Sequence, residues 1–332
     1  MRFRDPEAAA LYFRNRPGTA SERLACAEHG FSLRYSDPAT MRAWCDAALV
    51  GLSPETDAQT AARLHGYAGN AHRVMGDFDS AEEHLAKALS LCPADPRLLE
   101  LKSSLLYDLR RLQEASETLA QAAALQSKKG DPLVHAAILL KNAMVLDQSD
   151  EPENAASVAQ SAVATLADHL PSAKGEELLR SAVQNLALYL TNAGRPRESL
   201  RVLEQSRSFL AQGGIRAVVR VEWILARIAG ALGEKSARQA FVAVRERCAA
   251  AKMPQEVALI SLDLARHLLT TSPLEARAEV AYVGPILTQI GISEDSQEVR
   301  LLNQILEASQ PDLDLLFELS RLLYAQRKFW AN

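Results

Sequence analysis

The sequence has few aromatic residues and few cysteines. Phe, Trp and Tyr make up 5% of the 332 residues, and the four cysteines, Cys26, Cys45, Cys92 and Cys248, include no CxxC pair. Disulfide scaffolds and structural zinc sites use closely spaced cysteines, so this scatter predicts free, mostly buried thiols in a reducing compartment. We therefore expect a cytoplasmic protein.

Long apolar runs and a strong net charge are also missing. No stretch approaches the ~18 consecutive apolar residues of a membrane helix. The N-terminal stretch, MRFRDPEAAALYFRNRPG, carries charges throughout, unlike the apolar region of a secretory signal. The net charge of −4 and the isoelectric point near 6.0 differ from the basic balance of a general nucleic-acid binder. We expect a soluble protein that contacts neither a membrane nor nucleic acid directly.

Motifs for catalysis and for nucleotide binding are absent. The sequence contains no GxxxxGK[ST], GxGxxG, HExxH or GxSxG. Cys26 and His29 could supply two metal ligands, but a structural zinc site needs a second pair, which this chain lacks. The expectation is a non-enzymatic protein with neither metal nor cofactor.

Residues 62–93 carry the clearest local pattern. Ala68 and Gly69 are small enough to let another helix approach, and Gly76-Asp77 predicts a turn after the first helix. A second helix follows with small and apolar residues at helical spacing, which are Ala81, Leu85 and Ala88, and Pro93 stops it. The stretch resembles a tetratricopeptide repeat (TPR), a helical hairpin of about 34 residues. His65 and His72 stand where that repeat has aromatic residues, so we expect packing imidazoles there.

The pattern recurs along the chain, with Pro96 starting the next unit and helix breakers following at intervals of about 34–44 residues. Gly284-Pro285 is expected to interrupt the second helix of the last unit. Together with the absence of strand alternation, this predicts an all-α fold: a right-handed superhelical TPR solenoid of antiparallel helical hairpins. Residues 1–53 are interpreted as N-terminal capping helices with a degenerate repeat, 54–293 as the repeat array and 294–332 as C-terminal capping helices.

The resemblance implies a concave groove lined by the first helix of each hairpin. Arginine forks and asparagine amides on those helices suit carboxylates and peptide backbone, and a tryptophan could anchor an apolar side chain. The alternative is that these residues form an ordinary solvated helix face. The groove candidates are Arg63, Asn70, Arg73, Arg97, Lys141, Gln184, Asn185, Asn192, Arg220, Trp223 and Arg227, with Arg266 as a possible extension of the row.

Two functions remain open. The chain resembles bacterial regulatory TPR regions with lengthened repeats of about 40 residues, which implies an interaction module. Such a module would bind a protein or peptide segment, with an acidic segment as one option, as an adaptor or inhibitor in a regulatory or stress-signalling cascade. The alternative is a regulator that senses a peptide or a small molecule and acts through a partner protein. The oligomeric state is not predicted.

Overall fold

The computed structural model describes residues 3–34, 36–53, 56–169, 172–308 and 311–325. Every regular element within these ranges is a helix, and none of the described residues is in a strand. The chain divides into two compact units, Met1–Leu170 and Pro171–Asn332, called unit 1 and unit 2 below. The predicted all-α fold is therefore confirmed, whereas the predicted boundaries after residues 53 and 293 stay predictions.

Unit 1 is a row of antiparallel hairpins preceded by one short helix. The first helices of its hairpins are α2, α4, α6 and α8, the second helices are α3, α5, α7 and α9, and α1 packs on α3. The helices are α1 (Pro6–Asn15), α2 (Ala20–Ser32), α3 (Pro38–Leu49), α4 (Ala58–Val74), α5 (Phe78–Leu91), α6 (Pro96–Asp108), α7 (Leu112–Lys129), α8 (Pro132–Gln148) and α9 (Pro152–Ala167).

Unit 2 continues the hairpin pattern and ends differently. Its hairpins pair α10 with α11, α13 with α14, and α15 with α16, after which α17 packs on α16 and α18 returns to α15. The helices are α10 (Ala173–Asn192), α11 (Pro196–Gln205), α12 (Arg207–Leu210), α13 (Ile215–Ala231), α14 (Ala237–Ala250), α15 (Pro254–Leu268), α16 (Pro273–Gln289), α17 (Gln297–Glu307) and α18 (Leu313–Ala325).

Aspartate caps start most helices of unit 1. The carboxylates of Asp5, Asp37, Asp57 and Asp77 each accept a hydrogen bond from the backbone N–H three residues later. These bonds satisfy N–H groups that have no partner inside the helix. Asp37 is followed directly by Pro38, the first residue of α3, a position where proline's missing N–H costs nothing.

The α4–α5 hairpin packs through the small residues predicted from the sequence. Ala81, Leu85 and Ala88 of α5 are buried. A Cβ atom on Gly69 would lie 2.8 Å from Leu85 Cγ, so only glycine permits this approach of the two helices. Gly76 in the turn has a φ of 79°, which most side chains disfavour.

The predicted interruption at Gly284-Pro285 is wrong. Helix α16 continues through Pro285 to Gln289, although proline leaves one carbonyl of the preceding turn without its helical partner. Val283 and Ile286 on either side are buried in the core of unit 2. Their burial outweighs the lost hydrogen bond.

Candidate partner-binding surface

Charged side chains join the first helices of unit 1. Arg63 on α4 donates to Glu28 on α2 at 2.8 Å, and Arg73 on α4 pairs with Asp108 on α6. Arg73 also donates from Nε to Asn70 Oδ1 at 3.1 Å. Both ion pairs join residues 35 positions apart, about one repeat, so their members lie at corresponding positions on consecutive first helices.

A third pair extends the row from α6 to α8. Lys141 forms an ion pair with Glu100, 41 residues earlier. Arg97, another predicted groove residue, is exposed in the first turn of α6. We call the three pairs the unit 1 rungs and the surface of α2, α4, α6 and α8 that carries them the unit 1 face; the rungs are Arg63–Glu28, Arg73–Asp108 and Lys141–Glu100. Their side chains remain 21–50% exposed.

In unit 2 the predicted groove residues bond mainly to one another. Arg220 on α13 donates to Asn185 on α10 at 2.5 Å, and Arg227 donates to Asn192 at 2.8 Å, each across 35 residues. Gln184 is buried, and its amide donates to the Ala217 carbonyl at 2.9 Å. These bonds fix α13 against α10.

A buried carboxylate connects α13 with α15. Asp263 is 5% exposed and accepts the indole N–H of Trp223 at 2.7 Å. It also forms ion pairs with Arg227 at 3.5 Å and with Arg266, a neighbour one turn along α15. Trp223, offered by the sequence as an apolar anchor, is itself buried at 7% exposure. A buried carboxylate requires hydrogen-bond or ion-pair partners. Because the partners of Asp263 include two residues of α13, these side chains link α13 to α15 within unit 2.

Helix α18 lies along the same side of unit 2. The Arg266 guanidinium stacks over the Phe317 ring, 4.4 Å from its centroid, and Arg220 donates to the Tyr324 hydroxyl at 3.2 Å. Gln255, near the start of α15, donates to the Leu323 carbonyl near the end of α18 at 2.9 Å. Since Arg266 lies near the end of α15, the two helices run antiparallel.

Three imidazoles gather between α4 and α5. His65 Nδ1 lies 2.9 Å from His84 Nδ1, and the His72 ring stacks on His84 with centroids 5.3 Å apart. His72 Nδ1 contacts Asp77 Oδ2 at 2.9 Å. The expected packing role of His65 and His72 fits this arrangement, whereas His84 appeared isolated in the sequence. The hairpin brings these rings together because α4 and α5 run antiparallel and pack side by side.

Burial disfavours the charged form of two of these imidazoles. It lowers the pKa of His65 to about 4, with smaller contributions from Lys87 and His84. Burial is also the main cause of the lowered pKa of His84. Two neutral imidazoles whose Nδ1 atoms face each other can share one hydrogen bond, with one donating and the other accepting.

Metal-binding and reactive-thiol sites are not apparent among the described residues. Nowhere in the described ranges do three or more His, Cys, Asp or Glu side chains gather in a way that could hold a metal ion. Cys26, Cys45 and Cys248 are buried and Cys92 is partly exposed, all as free thiols. Burial raises the pKa of Cys26 and of Cys45 to about 12, which disfavours the reactive thiolate.

Arg23, which is not among the residues predicted from the sequence, is buried in unit 1. Its guanidinium donates to the carbonyls of Pro17, Ala48, Val50 and Gly51, so it caps the end of α3 and ties that end to the loop before α2. The sequence carries no distinct signal for this role, because Glu22, Glu28 and His29 lie on the same helix. Three of the four carbonyls lie 25–28 residues further along the chain.

Comparison with known families supports the repeat assignment. The family model described as "Tetratricopeptide repeat" matches residues 62–105, which include most of α4, all of α5 and most of α6. The chain carries tetratricopeptide repeats. This TPR chain has no match among curated protein sequences. None of the helices in the described ranges combines the length and apolar character needed to cross a membrane.

Solved TPR-like structures share the fold at low sequence identity. The apo form of RapI has a TM-score of 0.62 at 13% identity, with 82% of this chain and 100% of that chain covered. A Rap protein in complex with competence and sporulation factor has a TM-score of 0.60 at 14% identity, covering 92% and 89%. PilF of Pseudomonas aeruginosa has a TM-score of 0.50 at 17% identity, covering 68% and 92%. These likenesses establish the fold.

Proposed function

We propose that this TPR chain is a non-enzymatic module that binds a segment of another protein on the first helices of its repeats. Repeat folds of this kind present an extended surface instead of a single catalytic pocket. The observation that carries the proposal is the recurrence of polar side chains at corresponding positions of consecutive first helices, 35 residues apart. In the cell, the chain would act as a cytoplasmic adaptor or inhibitor in a bacterial regulatory or stress-signalling cascade.

Binding would use groups that already form hydrogen bonds between repeats. A carboxylate has about four acceptor positions and a guanidinium has five N–H donors, so each rung keeps capacity for a partner. Hydrogen bonds to charged groups typically contribute about 1.5–3 kcal/mol. Arg97, which is exposed, and the Arg63–Glu28 rung are the most accessible candidates.

Affinity purification from the source cell tests this proposal. The wild-type protein is compared with the double variant Arg63→Glu/Arg97→Glu on the first helices of unit 1. The control is Arg238→Glu, which reverses an exposed charge on the second helix α14. A protein recovered with the wild type and the control, but lost with the double variant, is the expected result. Equal recovery by all three would contradict binding on the first helices.

A sensor of a peptide or a small molecule, acting through a partner protein, is the second candidate function. It is favoured by the likeness to the Rap protein that was solved together with competence and sporulation factor. A sensor should change its scattering radius when a small ligand is added without a partner protein. An adaptor should show no such change and should bind its partner without the ligand.

A further inference from the structure

The two units differ in how far their first helices are accessible. The rungs of unit 1 lie at the surface, where even the least accessible charged side chain, Arg73, is 21% exposed. In unit 2, the corresponding network centres on the Asp263 carboxylate, whose side chain is 4% exposed, and on Arg266, at 12%. Asp263 and Arg266 are therefore largely withdrawn from solvent, whereas Arg227 is 21% exposed and Asn192 is exposed.

Helix α18 accounts for much of this burial. Its leucines Leu316, Leu319 and Leu323 are fully buried in the core that also contains α15. Their burial stabilises the packed position of α18 by about 1.5–3 kcal/mol for each leucine. A partner that used this side of α15 would have to displace α18 and expose that apolar surface again. This side of α15 is therefore covered by the chain itself.

The unit 1 face has a balanced charge pattern. Each rung contributes one cation and one carboxylate, so the three rungs together add no net charge. The sign of the charge alternates from helix to helix, because α2 carries one carboxylate of the rungs, α4 two guanidiniums, α6 two carboxylates and α8 one ammonium. Arg97 adds one further cation near the start of α6. Such a surface does not select for a uniformly acidic ligand, because the cation of each rung has a carboxylate beside it.

We propose that the partner segment binds on the unit 1 face and carries both acidic and basic side chains that complement the alternating rungs. This inference rests on the proposed function and narrows it to one unit and one class of ligand. About 12 extended residues reach roughly 40 Å, at ~3.3 Å per residue. That length suffices to cross four first helices if neighbouring axes lie about 8–10 Å apart.

Selection from a random library of peptides about 12 residues long tests the proposal directly. Three immobilised full-length proteins are compared. The first is the wild type, and the second exchanges the partners within two rungs through Arg73→Asp, Asp108→Arg, Glu100→Lys and Lys141→Glu. The exchange keeps one cation and one carboxylate in each pair. It reverses the sign of the charge that a ligand contacts at each of the four positions.

The third protein is a matched control in which Arg238→Glu and Glu275→Arg exchange an exposed ion pair between the second helices α14 and α16. Thermal melts of all three proteins establish that each is folded before the selection. The enriched peptides are then synthesised, and their affinities for each protein are measured by fluorescence anisotropy.

The expected result is enrichment of mixed-charge peptides by the wild type and the control. These peptides should bind the rung-exchange variant about tenfold more weakly, because each charge then faces one of its own sign. Uniformly acidic peptides, or equal affinity for all three proteins, would overturn the assignment to the unit 1 face while leaving segment binding intact. If the wild type enriches no peptide, the proposed function itself fails.

Discussion

Arg73 and Asp108 lie 35 residues apart and form an ion pair between α4 and α6. The same separation joins Arg63 to Glu28, and it joins Arg220 to Asn185 in unit 2. Exposed pairs contribute little stability on average. Their regular spacing instead reflects the repeat, which brings corresponding positions of consecutive first helices within reach of each other.

The Arg73–Asp108 rung should make a small but measurable contribution to stability. A double-mutant cycle with Arg73→Ala and Asp108→Ala should give a coupling energy of about 0.5–1 kcal/mol, because both side chains are partly exposed. Urea unfolding of the four proteins measures it. The matched control is the more exposed Arg111–Glu82 pair, with atoms 3.4 Å apart, whose coupling should be close to zero. Equal coupling in both cycles would argue against an ordered rung.

Loss of the Asp263 carboxylate should destabilise unit 2 severely. Asp263→Ala leaves Arg227, Arg266 and the Trp223 indole without their common acceptor. Removing one member of a buried ion pair typically costs about 3–5 kcal/mol. Urea unfolding measures the loss, and Glu275→Ala, at an exposed ion pair, is the control. A change no larger than in the control would show that the network is dispensable.

Stability should fall in mildly acidic solution because of the imidazole cluster. Burial lowers the pKa of His65 to about 4, so the unfolded chain, whose histidines titrate near 6.5, takes up the proton first. The stability linked to the lowered pKa of His65 is fully present above pH ~6.5 and is lost as the pH falls towards 4. The loss is at most about 3 kcal/mol, at about 1.4 kcal/mol per pKa unit.

Urea unfolding across this pH range, with the wild type and His65→Phe, checks that expectation. Phenylalanine keeps a packing ring at this position but cannot take up a proton, so the variant should lose stability less steeply between pH ~6.5 and ~4. Identical pH slopes for the two proteins would show that His65 is not responsible.

A bulky residue at Ala81 should strain the α4–α5 hairpin. Ala81 is fully buried, and its carbonyl lies 3.2 Å from the position that a Cβ on Gly69 would take. Ala81→Phe should therefore cost roughly 1–3 kcal/mol through overpacking. A thermal melt measures the loss, with the exposed Ala86→Phe as control. An unchanged melting midpoint for Ala81→Phe would contradict the packing of this hairpin.

The repeat fold could be predicted because local features specify it. Small residues such as Ala68, Gly69 and Ala81 mark where two helices approach, and aspartate with proline marks where helices begin. Contacts of this kind lie within one hairpin, so their spacing along the chain is short and regular. Regular spacing also revealed which side chains share the first helices.

The bonding state of the candidate residues could not be predicted in the same way. Trp223 and Arg227 appeared available until the structure placed them against Asp263, 40 and 36 residues further along the chain. That contact depends on how successive hairpins stack. The position of α18 departs from the repeat pattern. In a regular array the next helices would pack on the preceding hairpin and extend the row, whereas α18 packs back on α15. A periodic pattern contains no information about where it stops.

Binding of a partner segment on the unit 1 face can be tested by cross-linking in the cell. The most direct measurement places a photo-cross-linking amino acid at Ser104, between Glu100 and Asp108 on α6, or at exposed Tyr282 on the second helix α16. After irradiation in the source cell, cross-linked proteins are identified by mass spectrometry. We predict a specific protein adduct from position 104 and none from position 282. An adduct from position 282 alone, or from neither position, would contradict the account.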